Sequence, residues 1–154
     1  DFYTACYKAF TAAGQDLPTE GGVYITVNDA DKERVLPIAR DLQGMGFKIY
    51  ATKGTSTYLR ERGVETMTVF KLDDNLSPNA IGMMRAGKID LIINTPSQKS
   101  GAVRDGHRMR RLAVELEIPF LTTVQGAAAA AGAIRVARGG ELQVKSTKEY
   151  NLLV

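Results

Sequence analysis

An α/β fold of three layers, with helices on both faces of a parallel sheet, is predicted by this sequence on three observations. Short apolar runs rich in β-branched residues alternate with 10–15-residue segments of helical period, the pattern of successive βαβ units. The chain has 154 residues, 44% hydrophobic and 24% charged, the balance of one globular domain. Such a length buries roughly 70% of the surface its unfolded form exposes, so its core needs no disulfide or metal staple. The single cysteine, Cys6, excludes an internal disulfide, and with one histidine, His107, a Cys- or His-rich metal site is excluded too. No apolar run approaches the ~20 residues that span a bilayer.

In chain order, Phe2, Cys6, Ala9, Phe10 and Ala13 fall at helical spacing, with Gly14 as a stop. Gln15 to Gly22, holding Pro18 and paired glycines, is a connector. Val23 to Val27 is a β-branched strand ending in the polar loop 28–31. Val35, Leu36, Ala39, Leu42 and Met45 mark a helix closed by Gly44 or Gly46. Phe47 to Ala51 reads as a strand, Thr55 to Arg62 as a helix and Val64 to Phe70 as a strand. Ser77-Pro78 reads as an N-cap followed by proline at the first helical position, with Gly87 closing that helix. Ile89 to Asn94 is the most apolar strand. Arg104 to Glu117 is a charged amphipathic helix, for which Asp105 is a candidate cap. Pro119 to Thr123 is the last strand, and Gln125 to Arg138 an alanine-rich helix. Residues 139–154, after two glycines, are expected to form an edge strand or a tail. The chain opens at Asp1 inside an amphipathic segment and is expected to be a piece of a larger protein. The units are then 1–20, a lead-in helix and connector; 21–138, the domain proper; and 139–154.

Right-handed crossovers bring the loops after the strands to one sheet edge, where ligands of such folds bind. The turn Thr52-Lys53-Gly54-Thr55 offers hydroxyls, a glycine and helix N-terminal amides that together suit a phosphate. A plain helix cap by Thr55 accounts for the same residues. Lys32 and Lys71 each lie just beyond another strand end and can close on the same anion, and Lys99 is a third such lysine. Asn94-Thr95-Pro96-Ser97 supplies amide and hydroxyl groups suited to a base or sugar. His107, among arginines, reads as a solvated helix residue rather than a catalytic base. Arg104, Arg108, Arg110 and Arg111 spread over several helix faces, as a solvated or interdomain surface would. No nucleophile–base–orienter set emerges. Lysine plus arginine number 20 against 17 acidic residues, a net charge of +3, with a pI near 9.0. That suits a small anionic ligand and is thin for nucleic acid, which calls for a dense basic stripe with interleaved aromatics.

The runs Asp31-Lys32-Glu33-Arg34-Val35, Ala51-Thr52-Lys53-Gly54-Thr55, Ile92-Ile93-Asn94-Thr95 and Arg110-Arg111-Leu112-Ala113 resemble, in that order, the carboxy-terminal regulatory domain of the carbamoyl-phosphate synthase large chain, a member of the methylglyoxal synthase-like group. The resemblance covers about residues 20–136, and Leu17 to Gly21 resembles the segment leading into that domain. It implies a five-stranded parallel, Rossmann-like sheet and an allosteric pocket for nucleoside monophosphates, UMP inhibiting and IMP activating, with ornithine acting near the junction with the synthetase core. By position it assigns Lys32, Thr52, Gly54, Thr55 and Lys71 to the effector phosphate. Asn94, Thr95, Ser97 and Lys99 fall to the base and ribose, and Thr122 and Thr123 to the neighbourhood of ornithine. Pro96 stands where bacterial relatives often carry threonine, and Lys99-Ser100 where they carry paired arginines.

The resemblance further implies a cytoplasmic ligase serving arginine and pyrimidine biosynthesis. The domain itself would hold no cofactor, whereas the parent enzyme would use ATP with magnesium or manganese. Its partners would be the rest of the large chain and the glutaminase small chain, with neither nucleic acid nor membrane. An alternative is a stand-alone methylglyoxal synthase-type lyase acting on dihydroxyacetone phosphate. Against it, Ser77 and Ala102 stand where that enzyme needs its aspartate and histidine, leaving Asp105 as a lone carboxylate.

Overall fold

A computed structural model describes residues 1–70, 76–97 and 101–151, with side chains as far as Gly139. The elements in order are α1 (Phe2–Ala12), β1 (Gly22–Thr26), a 3-10 turn (Asp29–Asp31), α2 (Lys32–Gly44), β2 (Lys48–Ala51), α3 (Lys53–Glu61), β3 (Met67–Thr68), α4 (Ala80–Arg85), β4 (Leu91–Asn94), α5 (Ala102–Glu115), β5 (Phe120–Leu121) and α6 (Val124–Asn151). The five strands form one sheet in the order β3-β2-β1-β4-β5, and every pairing is parallel. This is the predicted three-layer architecture. Chain direction across the sheet reverses between β1 and β4, the switch point at which such sheets open a crevice at their carboxyl edge.

Alternation along β1 divides the core in two. Val23, Ile25 and Val27 enter an aliphatic layer with Val35, Ile38 and Leu42 of α2, Leu59 of α3 and the alanines of α6. Tyr24 enters the opposite layer with Tyr50, Ile92, Met83 and Met84 of α4, and Met109 and Leu112 of α5. β1 starts where side chains do not fit. A Cβ on Gly22 would lie 2.0 Å from the Lys88 carbonyl oxygen, and the Gly22 N–H donates to Asp90 at 3.0 Å. The lead-in helix α1 packs on the aliphatic layer through Cys6, Tyr7 and Phe10, and its Tyr3 ring lies over Gly132 of α6. Arg138 donates to the Thr19 carbonyl and fastens the connector.

Four local expectations are corrected. Residues 139–151 continue α6 as helix instead of turning into an edge strand; two glycines cost a helix only about 2 kcal/mol together, which does not stop one already propagating. The cap of α4 is Asn79, whose side chain accepts from the Gly82 N–H at 2.8 Å, not Ser77. α5 is preceded by Gly101 in the left-handed region, with Asp105 inside its first turn. β3 is two residues long, since it is an edge strand paired only to β2 and the Thr66 and Thr68 hydroxyls bond Ser56 Oγ at 2.7 and 2.9 Å. Among the described residues, no helix is long and apolar enough to cross a membrane.

Candidate effector site

The crevice at the switch point is a cavity of about 600 Å³ walled by the loops after β1, β2 and β4, the end of β3, the first turns of α5, and Thr122 after β5. A shallower and more open depression of about 760 Å³ lies on α5 between Arg104, His107, Arg108 and Arg111. Its lining arginines and histidine are exposed, as expected of a solvated surface. The enclosed cavity is the candidate site.

Its best-organised part is the turn into α3. Thr52 precedes the helix with extended backbone and makes no side-chain cap bond. The first intrahelical bond runs from the Ser56 N–H to the Thr52 carbonyl at 2.7 Å. The N–H groups of Lys53, Gly54 and Thr55 therefore precede any intrahelical acceptor and carry the positive end of the helix dipole. Thr52 and Thr55 are 7% and 2% exposed. Thr52 Oγ1 donates to Thr26 Oγ1 at 3.2 Å, and Thr55 Oγ1 accepts from the Val27 N–H at 3.4 Å. The cap function foreseen for Thr55 is thus replaced by a tie to β1. Lys32, the first residue of α2, brings its ammonium over this turn: Nζ would lie 3.3 Å from a Cβ on Gly54. It also pairs with Asp29 at 2.7 Å, the lysine side chain being 19% and the aspartate 70% exposed. Helix amides, two hydroxyls and an ammonium thus converge on a glycine, a set of groups whose chemistry suits an anion.

Across the switch point, Thr95 is 4% exposed and its hydroxyl accepts from the Asn28 N–H at 3.0 Å. The Asn28 side chain donates to the Pro96 carbonyl at 2.9 Å and to Asp31 at 2.8 Å. These bonds lock the loops after β1 and β4 together. Asn94 and Ser97 line the cavity, and a Cβ on Gly106 would meet Asn94 Nδ2 at 3.3 Å. The two threonines after β5 separate. Thr122 lines the cavity, whereas Thr123 accepts from the Gly126 N–H at 2.9 Å at the start of α6, as a helix cap does. Lys71 and Lys99 lie outside the described residues.

Among the lining groups that sequence reasoning missed are Tyr24, Asp105 as a cavity residue, Phe120, and Arg110, whose guanidinium lies 5.9 Å from the Phe120 ring centroid. Burial pushes the Tyr24 phenol well above its ordinary range; the Thr26 hydrogen bond opposes this and the Asp105 charge adds to it. The available signal was period two, which puts Tyr24 on the same strand face as Thr26. Among the described residues no group of three or more His, Cys, Asp or Glu is placed to hold a metal ion.

The sequence model of the family described as "MGS-like domain" matches residues 34–122. The chain belongs to the MGS-like domain family. Along 152 residues it is 47% identical to the carbamoyl phosphate synthase large chain of Methanosarcina acetivorans, covering 98% of this chain and 14% of that protein. Along 151 residues it is 46% identical to the carbamoyl phosphate synthase large chain, C-terminal section, of Methanocaldococcus jannaschii, covering 98% of this chain and 24% of that one. The MGS-like domain thus spans a quarter or less of these relatives. Among solved structures, methylglyoxal synthase from Elizabethkingia anophelis superposes with a TM-score of 0.57 at 20% identity, over 75% of this chain and 79% of that one. ForH superposes with a TM-score of 0.54 at 18% identity, over 78% and 80%. At these identities the likeness is one of fold. It agrees with the α/β architecture described above.

Proposed function

We propose that this MGS-like domain is the effector-binding regulatory module of a carbamoyl phosphate synthase large chain, itself without catalytic chemistry. It would hold a nucleoside monophosphate by its phosphate on the Thr52–Thr55 turn, with UMP inhibiting and IMP activating. Lys32 and Lys71 would close on the phosphate, while Asn94, Thr95, Ser97 and Lys99 would face ribose and base. Thr122 and Thr123 would take part in the ornithine response. Catalysis would belong to the rest of the large chain, using ATP with magnesium or manganese and ammonia from a glutaminase small chain.

The observation carrying this reading is the anion cradle, with the Lys32 ammonium over Gly54 at the uncapped start of α3. A phosphate monoester there would meet the free N–H groups at the start of α3 and the Lys32 ammonium. Transmission to the active sites would be a coupling free energy, typically ~1–3 kcal/mol, so it is measured in the whole enzyme. Binding is measured on this chain, by calorimetric titration with UMP, IMP, uridine and ornithine. A ligand at ~100 times its Kd should raise stability by about 2.7 kcal/mol. The nucleotides should bind and uridine should not. Equal thermal shifts from uridine and UMP would sink the phosphate-based reading.

A further inference from the structure

Helix α5 presents two faces. On one, Gly106, Met109 and Arg110 wall the cavity. On the other, Arg104, His107, Arg108 and Arg111 are exposed and line the open depression on the helix. Positions three, four and seven residues apart share one side of a helix, so these four form a stripe about 10 Å long. The stripe continues to Val114, 73% exposed, and starts beside Val103, 59% exposed. Three arginines of other elements meet carboxylates: Arg34 meets Asp31 at 3.3 Å, Arg62 meets Glu61 at 3.6 Å and Arg135 meets Asp41 at 2.8 Å. Among the described residues, no carboxylate pairs with Arg104 or Arg111. Like charges three and four residues apart repel along a helix. An opposite charge facing the stripe relieves that repulsion.

We propose that this stripe is the docking surface for an acidic patch on the rest of the large chain. Its charge selects a carboxylate-bearing partner, and its arginines, bordered by exposed valines, have the composition that protein interfaces favour. A second copy of the same face is excluded, because it would set arginine against arginine. Nucleic acid calls for a longer basic stripe with interleaved aromatics than a chain of net charge +3 supplies here. The large chain is the partner at hand: this domain matches 14% of the Methanosarcina acetivorans protein, and a tethered partner is present at high effective concentration. Arg104, Arg108 and Arg111 do not line the cavity, so α5 would carry its ligand site on one side and its docking contact on the other. This rests on membership of the large chain and on no property of the effector.

The test uses the full large chain carrying this domain, with Arg104→Lys and Arg111→Lys together. The substitutions keep the charge and supply amines, which a zero-length carbodiimide joins to a carboxylate in direct contact. Peptide mapping should find both positions linked to one cluster of aspartates or glutamates outside this domain, in the same polypeptide. Raising salt from about 0.1 to 1 M shortens the Debye length from ~10 to ~3 Å and should cut the yield severalfold. Mixing isotopically labelled and unlabelled chains separates links within one chain from links between two. Links confined to this domain overturn the proposal, as do links only between two chains. It is equally overturned by links scattered without a preferred carboxylate, by no links at all, or by a yield that salt leaves unchanged. Failure of the nucleotide reading shows separately, in the calorimetric titration of UMP and uridine.

Discussion

The two walls of the cavity are built on different terms. On the wall from β1, β2 and α3, the polar groups also hold the fold: Thr52 and Thr55 are 7% and 2% exposed, with hydroxyls tied to Thr26 and to the Val27 N–H. On the α5 wall, Asp105 and Gly106 are half-buried and His107 and Arg110 are exposed, and the Arg110 guanidinium lies 5.9 Å from the Phe120 ring centroid. The first wall is preorganised, because moving its hydroxyls breaks bonds that hold the strands together. The second can change its side chains with little cost to the core. A preorganised wall suits the part of a ligand shared by many molecules, and an adjustable wall suits the part that differs among them.

The largest effect that would sharpen this contrast concerns Lys32, whose ammonium reaches over the first wall from the start of α2. Lys32→Ala should weaken UMP and IMP by about 1.5–3 kcal/mol, roughly tenfold to a hundredfold, and equally for both because they share the phosphate. The melting temperature without ligand should barely move, since the ion pair lost is to an aspartate 70% exposed. Calorimetry that finds unequal losses would mean that the ammonium also reads the base.

Tyr24 lies beneath the cavity, and alkaline unfolding probes its burial. Below its unfolded value of 10.0, folded and unfolded chains both keep the phenolic proton, and the contribution is fully present. Above that value the unfolded chain ionises while the raised folded group does not, so stability is lost as pH rises, by about 1.4 kcal/mol per pH unit. Urea titrations of the parent chain and Tyr24→Phe at several values between about pH 9 and 11.5 should show this slope in the parent alone. Parallel curves would mean that the phenol ionises as readily in the folded protein.

A smaller effect is expected for Thr55→Val, which keeps the shape and leaves the Val27 N–H without its acceptor. At 3.4 Å that bond is long, so the loss should be about 1 kcal/mol in chemical denaturation. The corresponding change on the other wall, His107→Ala, should alter stability by less than about 0.5 kcal/mol. If the two cost the same, the walls do not differ as described. The smallest expected effect is on Asp29→Asn. Releasing Lys32 from its 2.7 Å partner should tighten phosphate-bearing ligands by under about 1 kcal/mol, most visibly at low salt.

The strand–helix alternation was legible because each element carries its own period. Val23 to Val27 alternates between the two core layers, and Val35, Ile38, Ala39 and Leu42 mark the buried stripe of α2. The turn into α3 was legible for the same local reason: Thr52 to Thr55 combines a strand end, a helix start and a glycine within four residues. Element ends were less so. Asn79 rather than Ser77 caps α4, and α6 runs through a glycine pair, because caps and breakers contribute about 1 kcal/mol each and neighbouring structure outweighs them.

What the sequence determined by itself, then, is what local pattern sets: the α/β class, its parallel sheet of βαβ units, and the glycine-containing turn into α3. The tertiary structure alone decided that Lys32 lies over Gly54, that Thr122 faces the cavity while Thr123 caps a helix, and that Tyr24, Asp105 and Phe120 join the same space. Those residues come from loops and strands far apart in the chain. Their convergence follows from the strand order β3-β2-β1-β4-β5, which reverses direction beside β1 and opens the crevice there. No local propensity encodes that reversal; it is selected by how the two core layers bury their apolar faces against one sheet.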